Sequence, residues 1–399
     1  MINMLRSLVE FLLGDGMRQG LAMMFAFTIS WLSVPSIVSL AKVKKLYDEP
    51  GNRKSHINNT PTLGGISIFA SLTFSVLIFG RIPAFPQLQY LIAGLIMIFF
   101  IGLKDDIMPI SPWKKLYGQI LAACILIILG RIRITNLHGL FGIFTIDPIG
   151  STIISFLIII VIVNSMNLID GIDGLSSGLA IVAFATFGVW FFQMGATEYS
   201  VVAAAIVGSL IAFFYFNVFS KESKIFMGDT GALILGFVLA AFIIRFNELN
   251  IIPYTAWHVD AAPVVSFGIL MVPLFDTFRL FLLRIIRGGT PFRADRNHFH
   301  HLLLNLNLSH LDATLILVTV NLVFILTVFK LQFIGVNRLL ILIMLAGSLL
   351  TYFLYWLVKR RTRLNKADMT GITIKPLHKI ETIAQTDDPY RTNRQVNEL

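Results

Sequence analysis

The chain has 399 residues, of which 56% are hydrophobic and only 14% charged, with a net charge of +10 and a mean hydropathy of +0.79. Water-soluble chains carry about a quarter charged residues, so this balance excludes an ordinary cytosolic enzyme and a disordered protein and points to an integral membrane protein. A single cysteine, Cys124, rules out an internal disulfide framework and a thiolate metal centre.

In chain order, residues 1–20 carry Arg6, Asp15 and Arg18 around a short apolar stretch, Leu8–Leu13. That pattern is not a signal peptide, and Met1 is read as retained. Apolar segments of roughly 20 residues, the length a membrane crossing needs, follow at about 20–41, 62–80, 88–104, 116–130, 150–168, 177–193, 198–216, 229–245, 263–283, 312–329 and 337–358. The loop 131–149 alternates polar and apolar residues and predicts a small hairpin. From Lys359 the chain turns polar. The expected division is a polytopic membrane domain, 1–358, and a tail, 359–399. Most of the 32 lysines and arginines fall in one set of alternate loops and in the tail, among them Lys42, Lys44, Lys45, Lys114, Lys115, Lys221, Lys224, Arg284 and Arg293. By the positive-inside rule the expected fold is an all-α bundle of about 11 transmembrane helices, N-terminus outside and C-terminus cytoplasmic, in the inner (plasma) membrane. The basic excess is then a topology signal, and no nucleic-acid partner is expected.

Polar residues suited to chemistry collect in loops that this topology places on the cytoplasmic face. Asp48, Arg53, Lys54 and His56 come first, then Asp105–Asp106, then Asn164, Asn167, Asp170 and Asp173, then Lys224 to Gly231, and last Asp295 to His301. Two adjacent carboxylates at a helix C-terminus repel each other and the negative end of the dipole, so they require a cation, from Lys104, Lys114, Lys115 or a metal. Asn164, Asn167, Asp170 and Asp173 recur every three residues, along one side of a helix, and offer oxygen only, which suits Mg²⁺ beside phosphates. Gly228-Asp229-Thr230-Gly231 opens a predicted span, as a plain cap or as a phosphate-binding helix start. Arg296 with His298, His300 and His301 can donate several hydrogen bonds to a pyrophosphate, a reading preferred to zinc. Gly174-Leu-Ser176-Ser-Gly178 fits a hydrolase elbow but precedes a span rather than joining strand to helix. No phosphate-binding P-loop motif is present, which argues against ATP-driven transport.

The five clusters, in their order and with these motifs, resemble the polyprenyl-phosphate N-acetylhexosamine-1-phosphate transferases, over about Lys42 to His301. That family includes the muropeptide translocase and the GlcNAc-1-phosphate transferases that start O-antigen, enterobacterial common antigen and teichoic acid linkage units. The resemblance implies attack of undecaprenyl phosphate on the β-phosphorus of a UDP-N-acetylhexosamine, with release of UMP and a requirement for Mg²⁺, Mn²⁺ being a substitute. It implies metal ligation by Asn167 and Asp229. It implies catalytic roles for Asp105, Asp106, Asp170, Asp173, His298 and His300. Substrate contacts would come from Asp48, Arg53, His56, Lys115, Asn164, Asn217, Phe226, Gly228, Arg296 and His301. Asp295-Arg-Asn-His-Phe-His-His301 resembles the GlcNAc branch; the muropeptide translocase has a run of consecutive histidines ending in an acidic residue. Another sugar such as UDP-N-acetylfucosamine fits the same residues. The expected partners are the UDP-sugar, undecaprenyl phosphate and membrane lipid, with a homodimer admissible. A secondary transporter is the competing reading, since acidic residues in spans also mark ion paths.

Overall fold

The computed structural model describes residues 14–46, 60–81, 86–253, 256–286, 288 and 298–371, with side chains to 361. It is 78% helical. Two units can be distinguished, Met1–Val358 and Lys359–Leu399. In the second, helix continues to Gly371.

The helices are α1 (Asp15–Lys44), α2 (Gly64–Phe79), α3 (Leu88–Ile107), α4 (Pro112–Cys124, continued by π-helical turns Ile125–Leu129), α5 (Pro148–Ile169), α6 (Leu175–Gln193), α7 (Thr197–Val218), α8 (Gly228–Leu249), α9 (Ala262–Ile269), α10 (Met271–Ile286), α11 (Phe299–Leu304), α12 (His310–Leu331) and α13 (Val336–Gly371). The predicted hairpin is present between α4 and α5, strand β1 (Asn136–Leu140) antiparallel to β2 (Ile143–Thr145). Local chemistry sets several helix starts. Asp147 caps α5 by accepting from Ile149 N and Gly150 N, with Pro148 at the first position. Ser309 and Asp312 form a capping box at the start of α12.

Among the described residues, eight helices are long and apolar enough to cross a membrane: α1, α4 with its π-turns, α5, α6, α7, α8, α12 and α13. The other three expected spans are also helical but differ. Gly64–Phe79 has 16 residues. Leu88–Ile107 carries Lys104, Asp105 and Asp106 in its last turns. The segment expected at 263–283 is divided at Leu270 into α9 and α10. Pro273 is the physical reason: it has no N–H to give to Ile269 O. Asn321 of α12 repairs the gap, its Nδ2 donating to Ile269 O (2.9 Å) and its Oδ1 accepting from Val272 N (3.1 Å).

Helix α8 is the core of the bundle. Its apolar window is 83% buried, against 28% for α1 and α12 and 17% for α13, which therefore form the periphery. Helices α2, α3 and α5 pack around it. The approach of α2 and α3 is backbone to backbone: a Cβ on Gly65 would collide with Gly231 N and Thr230, and one on Gly102 with Thr230 Cα. Between α1, α2 and α7 the contact is made by buried serines, Ser30 to Ser67 (2.9 Å) and Ser71 to Ser209 (2.6 Å), the small polar residues that bind helices together where lipid gives no hydrophobic drive. At the other end of these helices Arg18 NH2 pairs with Glu198 Oε1 (2.8 Å), whose Oε2 accepts from Arg81 N (2.7 Å).

Candidate active site

The start of α8 is built by its neighbours. Gly228 has φ 72°, a left-handed conformation that a side chain would strain, and a Cβ there would strike Thr62 O and the Asp106 carboxylate. Asp106, at the end of α3, accepts from Asp229 N (2.7 Å), Thr230 N (3.0 Å) and Thr230 Oγ1. It thus caps a helix that is 123 residues distant from it in sequence. The stretch before α8 is held from two sides. Phe226 N donates to Pro61 O (2.8 Å), and Gly64 N and Gly65 N donate to Phe226 O and Met227 O (both 3.0 Å). Asn217 joins this stretch to the turn after α5: its Oδ1 accepts from Gly174 N (2.6 Å) and its Nδ2 donates to Ile225 O (2.9 Å). Both ends of the Asn217 amide are engaged by backbone.

Charged groups are interleaved above this base. Lys115 of α4 lies between two carboxylates, 2.7 Å from Asp229 Oδ1 and 3.1 Å from Asp105 Oδ2. Asp105 Oδ1 also accepts from Ile110 N (2.8 Å), closing the turn after α3. Lys224 pairs with Asp173 (2.7 Å) and sits 5.8 Å from the Phe226 ring centre, while His310 Nδ1 lies 3.4 Å from the same Asp173 oxygen. Burial works against ionisation of Asp173, but hydrogen bonds from His310 and Lys224 outweigh it and hold the carboxyl below its ordinary value. Asp170 has the opposite balance. Burial first, then the charges of Asp229, Asp106 and Asp173, push its carboxyl up to about 8. Asn164 is tied to Gln119 of α4 (Nδ2 to Oε1, 2.9 Å) and to Ile160 O (2.8 Å). Asn167 is half-buried on the last turn of α5.

The histidines close the cluster. His298 Nδ1 is 2.8 Å from Asp276 Oδ2, on α10. The His298 and His300 rings stack with centres 5.6 Å apart, and His301 is 4.3 Å from His300. His300 lies against Gly171, where any Cβ would collide with its ring, so the histidines meet the Asp170–Asp173 turn directly. Burial, then His301 and His298, push the His300 imidazole down to about 3. At that value the ring is neutral at physiological pH, and a neutral imidazole still carries one N–H to donate. Ser176, of the decoy hydrolase motif, is buried with its hydroxyl on Met227 Sδ (3.5 Å).

The structure thus gathers Asp105, Asp106, Lys115, Asn164, Asn167, Asp170, Asp173, Asn217, Phe226, Gly228, Asp229, His298, His300 and His301 on connected elements at one end of the bundle. Asp48, Arg53, His56 and Arg296 lie outside the described residues. Sequence reasoning missed Gln119, Thr230, Asp276 and His310 as parts of this network and left Lys224 unassigned. Thr230 and Lys224 stood inside a quoted motif, and Asp276 with Arg279, three residues apart in an apolar run, was a readable sign of a buried ion pair.

The carboxylates bear on a divalent ion. Among the described residues no three of His, Cys, Asp and Glu converge to chelate one by themselves. Asp170, raised first by burial and then by the charges of Asp229, Asp106 and Asp173, lies among carboxylates with few cations beside them. That donor set fits an ion held by one or two protein oxygens and completed by water and phosphate, the usual manner of Mg²⁺.

The model of glycosyl transferase family 4 matches residues 88–247, from the start of α3 nearly to the end of α8. The chain is 31% identical over 349 residues to an undecaprenyl-phosphate alpha-N-acetylglucosaminyl 1-phosphate transferase of Yersinia pestis, covering 85% of this chain and 90% of that protein. It is 30% identical over 307 residues to the protein of the same name from Haemophilus influenzae, covering 75% and 83%. With the Escherichia coli K12 protein of that name it shares 28% over 284 residues, 70% and 74% of the two chains.

Proposed function

Because the chain belongs to glycosyl transferase family 4, we propose that it transfers N-acetylglucosamine 1-phosphate from its UDP-sugar to undecaprenyl phosphate, at the cytoplasmic face of the plasma membrane. The observation that carries this reading is the meeting of Asp105, Asp106, Asp170, Asp173 and Asp229 with Lys115, Lys224 and the histidines around the start of α8. Such a site binds anions only with its carboxylates neutralised, and it holds cations already in place for part of that work.

In the proposed reaction a lipid-phosphate oxygen forms a bond to the β-phosphorus. The bond between that phosphorus and the oxygen bridging to the α-phosphorus breaks, and UMP leaves with the electron pair. The nucleophile is anionic near neutral pH, so positioning and charge stabilisation carry the chemistry. Asp106 fits a supporting part, since its two oxygens accept three hydrogen bonds and keep the α8 N-terminus in shape. Lys115 can pass from Asp105 and Asp229 to a phosphate oxygen. Lys224, beside Phe226, would serve the nucleotide end. Asp229 and Asn167 would hold Mg²⁺, which when bound supplies neutralisation of the pyrophosphate charge.

The test is UMP release by the detergent-purified protein, with undecaprenyl phosphate, Mg²⁺ and a panel of UDP-sugars, with and without EDTA. EDTA-sensitive release from UDP-N-acetylglucosamine alone is the expected result. Release only from UDP-N-acetylfucosamine would move the donor. Substrate uptake into vesicles with no UMP formed would favour a transporter instead.

A further inference from the structure

Asp276 lies in the middle of α10 and is 1% exposed. A buried carboxylate costs several kcal/mol unless it is paired and its lone pairs are satisfied. Here the two oxygens have different partners. Oδ1 accepts from Arg279 NH2 (2.7 Å) and from Phe299 N (3.1 Å). Oδ2 faces His298 Nδ1 at 2.8 Å. Arg279 is itself fixed, stacked 4.6 Å from the Phe299 ring centre and 3.3 Å from Tyr355 Oη. Arg279 and the Phe299 amide engage one oxygen; the second faces the histidine.

We propose that Asp276 is a positioning residue for His298, fixing its ring with the proton on Nδ1 and leaving Nε2 as the nitrogen presented to substrate. A carboxylate only accepts, so a hydrogen bond at this distance requires the hydrogen to be on Nδ1. The consequence reaches the rest of the site. His298 stacks on His300, which rests on Gly171 between Asp170 and Asp173, so the ring that Asp276 holds is joined through His300 to the carboxylate cluster. This role rests on the reading of the site as a sugar-phosphate transferase.

Asp276→Asn tests it because the substitution acts on one oxygen only. Arg279 and Phe299 N keep the amide oxygen at the Oδ1 position, so the amide NH2 takes the Oδ2 position and donates to His298 Nδ1. The histidine is thereby driven to the opposite tautomer, with the fold kept. The first readout is ¹⁵N NMR of histidine-labelled protein in lipid, with the His298 signal assigned by its loss in His298→Ala. The expected result is a protonated Nδ1 in the native protein and an unprotonated Nδ1 in Asp276→Asn. The second readout is UMP release. A kcat loss of about 10- to 100-fold with little change in KM is expected, the size typical of groups that orient a working histidine. In a His298→Ala background the same substitution should have no further effect. An unprotonated Nδ1 in the native protein overturns the proposal, even if Asp276→Asn fails to fold. So does an undiminished effect of Asp276→Asn without His298. Absence of UMP release by the native protein would instead count against the transferase reading and would leave the NMR result to stand by itself.

Discussion

Thr230 is fully buried, and its hydroxyl and amide both donate to Asp106. Thr230→Val keeps the shape and removes the hydroxyl, leaving a carboxylate lone pair without its donor. A loss of about 1.5–3 kcal/mol is expected, as for hydrogen bonds to charged groups, measured by thermal unfolding in detergent. Asp170 gives a pH dependence. Its folded value, about 8, lies above the ordinary value of 3.8, so the native state binds the proton more tightly than the unfolded chain. Stability from this group is complete below pH 3.8 and is lost as pH rises through 8. In EDTA, melting temperature should fall over that range more steeply for the native protein than for Asp170→Asn; equal slopes would refute the assignment. At this scale the sequence was informative about which residues matter and silent about what each does. Asp106 reads as half of an acidic pair, yet it is a cap for a helix remote in the chain. No local pattern carries that, because the partner is supplied by tertiary packing.

At the scale of elements, the helices were legible because apolar runs of this length have one stable form in lipid. The break at Leu270 was not, because Pro is tolerated in spans and its effect depends on what stands opposite. Here Asn321 stands opposite and satisfies both freed backbone groups. Asn321→Leu should destabilise the protein by at least about 1–3 kcal/mol, the penalty for one buried unsatisfied group. Pro273→Ala in the same chain should recover part of the loss, since residue 273 then has an N–H for Ile269 O. Chemical denaturation of the single and double variants checks both expectations, and strict additivity would refute the clasp. The break also matters to the site. Asp276 lies a short way beyond it on α10, the helix that begins at the break.

At the scale of the molecule, a gradient runs from the buried α8 to the exposed α13, and the chemistry sits at the N-terminal end of the most enclosed helix. The distribution of polar residues among loops was enough to predict that gathering, since it needs only alternation of direction along the chain. What it could not reveal were links between remote segments, such as Arg18 to Glu198, 180 residues apart. That pair has a consequence for biogenesis. A ribosome adds about 5–20 residues per second, so Arg18 is synthesised some 10–40 s before its partner. Over that interval Asp15, one turn earlier and 3.7 Å away in the finished fold, is the acidic residue of α1 available to Arg18 as a counter-charge. Asp15→Asn should therefore reduce the yield of inserted protein while leaving the melting temperature of purified protein nearly unchanged. Pulse-labelling with protease protection measures the first quantity, and a fall in both would place Asp15 in the finished fold instead. The acidic residue at the head of the first helix is, in these terms, an escort for a charge whose final partner arrives late.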